Sequence, residues 1–128
     1  MIERLSPPGI PAPRGPYSPA VRAGDFIFVS GQVPVDPETQ QMKLSDIRSE
    51  TRLVLDNVKR VLEGAGAGVA DVVKCSVFLS EAADFAPMNE VYAEFFGEAK
   101  PARTTVVCQF AMAGLKVEID CVAYKPKA

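Results

Sequence analysis

The chain has 128 residues, with 14 Lys plus Arg against 16 Asp plus Glu, 11 Pro, 9 Gly, 3 Cys and neither His nor Trp. A hydrophobic fraction of 48%, 23% charged residues and a formal net charge of -2 predict one folded domain over residues 1–128, and argue against disorder or a nucleic-acid surface. The missing imidazole excludes Ser-His-Asp and Cys-His catalysis and most catalytic zinc schemes, and Cys75, Cys108 and Cys121, with no CxxC, read as reduced thiols rather than a zinc ribbon or disulfide framework.

Six of the eleven prolines lie between Pro7 and Pro19. Fixed φ and lost backbone donors forbid a helix there, so an ordered extended lead-in is expected after Arg14, anchored by Ile10, Tyr17 and Val21. The run from Asp25 to Val33, rich in β-branched and aromatic residues, predicts a strand that Pro34 and the following turn end. From Ser45, a plausible N-cap, the period becomes helical, with Ile47, Thr51, Leu55, Val58 and Leu62 on one stripe widened by Val54 and Val61. Gly64, Gly66 and Gly68 stop this helix. On its other side Arg48, Arg52, Lys59 and Arg60 alternate with Glu50, Asp56 and Glu63, which reads as a solvated face.

Val72 to Ser80 predicts a second strand, buried on both faces or nearly so. Asp84 to Phe96 predicts a second helix, capped by Asp84 and carrying Met88, Val91, Tyr92 and Phe95 on its apolar stripe. Two last strands are expected at Arg103 to Phe110 and Leu115 to Tyr124, joined by a turn at Met112 to Gly114. In the final strand Leu115, Val117, Ile119, Cys121 and Ala123 share one face, which leaves Glu118 and Asp120 on the other. The pattern predicts an α+β domain whose two helices cover one face of a mixed sheet. Its second face would carry Val, Thr and Tyr into water unless it self-associates as a closed symmetric oligomer. Neither a secretory leader nor an apolar stretch of about 18 residues is evident, so no membrane contact and a cytoplasmic location are expected.

Two residues draw attention as chemical groups. Arg103 precedes the apolar-rich TTVVCQF strand, where its planar donor fork serves either an ion pair with an acid such as Glu118 or a cleft that receives a small carboxylate. Glu118 is either solvent-exposed or, with the second sheet face covered, a partly desolvated carboxylate able to orient or deprotonate water. Tyr17 offers an aromatic wall and a hydroxyl, Ser30-Gly31 a tight backbone position, and Asn89 a helix-borne amide. The GAGAG run at Gly64 to Gly68 follows a helix and lacks the Lys-Ser/Thr of a phosphate loop.

Seven segments in one order carry a family resemblance: GPYSPA at Gly15, FVSGQVPVDP at Phe28, TRLVLDNVKRVLEGAG at Thr51, DVVKCSVFL at Asp71, FAPMNEVYAEFF at Phe85, PARTTV at Pro101 and VEIDCVAY at Val117. Together they resemble the RidA/YjgF/UK114 family of reactive-intermediate deaminases. The resemblance implies a chorismate-mutase-like fold, a homotrimer with a barrel-like core, and active sites in clefts between subunits. It implies hydrolysis of enamines and imines such as 2-aminoacrylate and 2-iminopropanoate to 2-keto acids and ammonia. No cofactor or metal is implied, and the functional link is to the pyridoxal-phosphate dehydratases that release such intermediates. It also implies site roles: carboxylate binding for Arg103, water orientation for Glu118, and pocket positions for Tyr17, Ser30, Gly31, Asn89 and Thr105. Pro19 departs from the Gln that many members carry there, which bears on the cleft mouth. Other readings attached to relatives are a non-catalytic metabolite-binding or chaperone-like trimer and a ribonuclease or translation inhibitor.

Overall fold

A computed structural model describes residues 1–127. Six strands form one mixed sheet: β1 Ile2–Leu5, β2 Ala20–Ala23, β3 Phe26–Gln32, β4 Val72–Leu79, β5 Ala102–Val107 and β6 Val117–Tyr124. Their spatial order is β1-β2-β3-β6-β4-β5, with every neighbouring pair antiparallel except β4 and β5. Two helices, α1 Ile47–Gly64 and α2 Phe85–Phe96, pack on one face. The α+β expectation with both helices on a single side is therefore met.

Helix α1 forms where its apolar stripe recurs at helical spacing, and Val54, Leu55, Val58, Val61 and Leu62 are fully buried against the sheet. Each such side chain contributes about 1.5–3 kcal/mol by leaving water. The N-cap is Asp46 rather than Ser45: its carboxylate accepts from the backbone N–H of Ser49 at 2.9 Å. At the other end Gly66 adopts φ +90°, the left-handed conformation that terminates a helix, as the glycine cluster predicts. Gly64 has a different reason to lack a side chain, because a Cβ there would lie 2.6 Å from Cγ of Pro7. The proline-rich lead-in is thus docked on the end of α1.

The lead-in is also tied to the turn after β3. Gln40 accepts from the Ala12 N–H at 2.7 Å through Oε1, and its Nε2 donates to the carbonyls of Pro37 at 2.6 Å and Ile10 at 3.3 Å. From the helix side, Nδ2 of buried Asn57 donates to the carbonyls of Val33 and Val35, which holds the same loop down.

Several expectations are corrected. Strand β1 was not expected; it has no strong β-run of its own and forms by pairing with the edge of β2. Strand β5 stops at Val107 instead of Phe110, and β6 begins at Val117 instead of Leu115. Strand β4 is buried on one face only, with Val72, Cys75, Val77 and Leu79 inward and Lys74, Ser76 and Phe78 partly exposed on the other. Asp84 precedes α2 but makes no side-chain cap.

Glu50 is not on a solvated face. It is fully buried, accepting from the backbone N–H groups of Ser45 at 3.1 Å and Lys116 at 2.8 Å and from Nζ of Lys116 at 3.4 Å. Arg48 and Arg52, by contrast, pair across to Glu90 and Glu94 of α2.

The face of the sheet away from the helices bears Phe26, Phe28 and Tyr124, each more than 40% exposed, with Val106 and Ile2. The sequence pattern foresaw this uncovered apolar face.

Candidate functional site

Glu118 is positioned by strand alternation. On β6 it stands opposite Phe78 of β4, on the open face, while its neighbours Val117 and Ile119 enter the core. On the other flank, pairing between β3 and β6 becomes irregular between Val29 and Gln32. This irregularity holds Ser30 and Gly31, and it re-aims the backbone beside the carboxylate. The Ser30 N–H donates to the Pro19 carbonyl at 3.0 Å, and its Oγ donates to the Ser18 carbonyl at 2.6 Å, which ties β3 to the lead-in. Gly31 makes room for the acid: a Cβ on it would overlap Oε2 of Glu118 and lie 3.0 Å from Cδ.

Glu118, Ser30, Gly31 and Tyr17 line one cleft of about 350 Å³, with Arg14, Pro19, Val35 and Met112 among its other walls. The Tyr17 hydroxyl accepts from the Arg14 backbone N–H at 3.2 Å, so the ring is held by its own loop. Burial raises the Glu118 carboxyl above its ordinary value, and the negative charge of Asp120, two residues along the same face, raises it further. Asp120 is itself raised by burial, against the opposing effect of hydrogen bonds from Ser76. A carboxyl group displaced upward beside a cleft is a candidate for proton exchange with water.

Arg103 lies elsewhere. On β5 it aligns with Cys75 of β4, which in turn aligns with Cys121 of β6, so it belongs to the helix face. Its Cζ stands 4.7 Å from the ring centroid of Tyr92 and 5.6 Å from that of Phe85, both on α2. Stacking against two rings fixes the guanidinium plane while leaving its edge donors unused by carboxylates among the described residues. The ion pair between Arg103 and Glu118 is therefore not formed. Asn89 is half-buried on α2 between these two rings in sequence, on the helix face that spacing assigns to Phe85 and Tyr92. Thr105 is half-buried two residues beyond Arg103 on the same side of β5.

Tyr92 is the group that reading the sequence missed as anything but core. It is buried, its hydroxyl has no hydrogen-bond partner among the described residues, and burial beside the Cys75 thiol raises its pKa strongly. Cys75 is raised for the same reason, which fits a packing thiol. The signal in the sequence was the Phe85–Asn89–Tyr92 spacing, whose meaning depends on Arg103 arriving from another element.

The predicted site residues thus fall into two separate clusters. Arg103, Phe85, Tyr92, Asn89 and Thr105 sit at the helix side of edge strand β5, and Glu118, Tyr17, Ser30 and Gly31 sit on the other side of the sheet.

Comparison with known proteins assigns this arrangement to a family. Residues 9–125 match the family model described as Endoribonuclease L-PSP. A RutC family protein of Pyrococcus horikoshii is 47% identical over 125 residues, spanning 98% of this chain and 99% of that protein. The crystal structure of the YjgF gene product from E. coli superposes with a TM-score of 0.88 at 38% identity, covering 95% of this chain and 98% of that one. E. coli TdcF, solved with bound serine, superposes with a TM-score of 0.89 at 36% identity, covering 96% and 98%. With the fold, the seven sequence segments and these relatives in agreement, the chain belongs to the RidA/YjgF/UK114 family.

Proposed function

We propose that the protein is a hydrolytic deaminase of small 2-imino and 2-enamino acids, such as 2-iminopropanoate and 2-aminoacrylate, working as a homotrimer whose sites form between subunits. The observation that carries this reading is the separation of Arg103 and Glu118 onto opposite faces of one sheet. Each half-site lacks what the other supplies, and the uncovered apolar face offers the surface for association. The serine bound to TdcF supports a ligand of this class, a small molecule with a carboxylate and a nitrogen on the adjacent carbon.

In this mechanism Arg103 of one subunit holds the substrate carboxylate through two parallel N–H···O bonds, its plane set by Tyr92 and Phe85. Glu118 of the neighbour accepts a proton from water as the water oxygen bonds to C2, and the C=N bond becomes a C–N single bond. Glu118 passes that proton to the nitrogen, completing the neutral carbinolamine; the C2 hydroxyl then gives up its proton, relayed by Glu118 to the same nitrogen, as the C2–N bond breaks, so ammonia leaves and the C2 oxygen becomes the keto oxygen. One water is consumed and one ammonia released. A 2-enamino acid first gains a proton at C3 and loses one from nitrogen to reach the same imine. Because an imine carbon is already electrophilic, orientation and a single positioned carboxylate suffice.

The deciding experiment generates 2-iminopropanoate from alanine with an amino-acid oxidase and follows its decay with and without the protein. Accelerated decay that Arg103→Ala abolishes supports the reading. Decay at the spontaneous rate overturns it, and RNA cleavage lost in Arg103→Ala would favour the ribonuclease alternative.

A further inference from the structure

Among the residues lining the Glu118 cleft, Arg14 is the one cation. We infer that it makes the cleft selective for 2-imino acids bearing a second carboxylate on the side chain. The inference rests on the deaminase reading and names its substrate class.

Three observations carry it. First, the Arg14 guanidinium is anchored but unneutralised. Its Nη2 donates to the Gln40 carbonyl at 2.6 Å, and no described carboxylate forms an ion pair with it. The anchor is itself held, since Gln40 sits at φ +62° and is bound to Ala12, Ile10 and Pro37. A guanidinium fixed through one nitrogen keeps the rest of its donor fork for a ligand, with little ordering left to do.

Second, the same short segment serves the site directly. The Arg14 backbone N–H holds the Tyr17 hydroxyl, so the side chain extends from a loop already committed to the cleft wall. Third, a cleft of about 350 Å³ lies at the scale of larger ligands, beyond what a three-carbon acid fills. Pro11, Val33, Val35 and Met112 give it apolar walls, while Arg14 itself is exposed and open to a ligand entering the cleft.

A substrate engaged at C1 by the neighbour's Arg103 then has its side chain beside Arg14. A distal carboxylate gains a charge-assisted hydrogen bond there, whereas an alkyl chain of equal length displaces water from the guanidinium without replacing its bonds.

The test compares imines made by oxidising glutamate, norvaline and alanine, and in parallel measures calorimetric binding of 2-oxoglutarate and 2-oxopentanoate. For the intact protein, kcat/KM for the glutamate-derived imine should exceed that for the norvaline-derived one by about ten-fold or more, with 2-oxoglutarate the tighter ligand. Arg14→Gln should bring both ratios close to one, and Arg14→Lys should restore part of the preference. A ratio at or below one in the intact protein overturns the inference, as does an Arg14→Gln variant that weakens all three substrates equally, since Arg14 would then bind the shared C1 carboxylate. If no imine is turned over, the deaminase reading fails, and the two binding ratios still decide what Arg14 recognises.

Discussion

Arg103 and Glu118 stand on opposite faces of the same sheet, on strands separated by β4. Within one chain the two side chains do not face each other. If a site joins Arg103 of one subunit to Glu118 of the next, two inactive variants should complement each other. Co-expressed Arg103→Ala and Glu118→Gln chains in equal amounts should regain about a quarter of the intact sites, from random mixing in a closed ring. The rate of 2-iminopropanoate decay reads this out. No recovery in confirmed mixed oligomers would place each site within a single chain.

Gly31 is expected to matter through Glu118 alone. It does not adopt a positive φ, so alanine is conformationally acceptable there. The added methyl would, however, occupy the space of Oε2 of Glu118. Because that oxygen ends a flexible side chain, the fold can yield at small cost. Gly31→Ala should change stability by no more than about 1 kcal/mol while lowering kcat about 100-fold, the loss expected for a displaced general base. Denaturant titration beside steady-state kinetics separates the two effects.

Asp120 raises the Glu118 carboxyl across their shared strand face. Asp120→Asn removes that charge, so Glu118 should ionise at lower pH and the acidic limb of kcat/KM should move down in pH. Stability follows the opposite partner of the same linkage. A carboxyl raised in the fold above its ordinary 4.5 holds its proton more tightly folded than unfolded. Its favourable contribution is complete below the unfolded value and is lost as pH rises through the folded one. Glu118→Gln should therefore raise Tm at pH 7 relative to the intact chain, with the advantage vanishing near pH 4.

Glu50 is the buried acid on which the start of α1 depends. Its two oxygens satisfy the backbone N–H groups of Ser45 and Lys116 together with the Lys116 ammonium. Glu50→Ala leaves those donors without an acceptor and should destabilise the fold by about 3 kcal/mol. Glu50→Gln keeps one carbonyl oxygen for the Lys116 N–H and should cost less. Urea unfolding of both variants tests the order.

Much of this was legible in the residues, and the exceptions share a cause. The period of α1 and the alternation of β6 located the core and put Glu118 on the outward side, because burial of a stripe or of every second residue leaves a local trace. The same periodicity misread Glu50, since a carboxylate counts as polar wherever its partners lie, and here they come from 66 residues away at Lys116. Strand β1 was invisible because its residues gain their structure from β2, not from one another. Arg14 carries no local signal in its proline-rich run; its place beside Gln40 and in the cleft wall appears only in the fold.

Composition and residue pattern therefore pointed to an α+β fold with an uncovered sheet face, and the lack of histidine removed imidazole chemistry. Only the tertiary structure decided that Arg103 is stacked on Tyr92 and Phe85 on one side while Glu118 rests over Gly31 on the other. The physical reason is register: local spacing determines which neighbours alternate, but which face a strand shares with a distant one is set by the pairing of β4 with both β5 and β6.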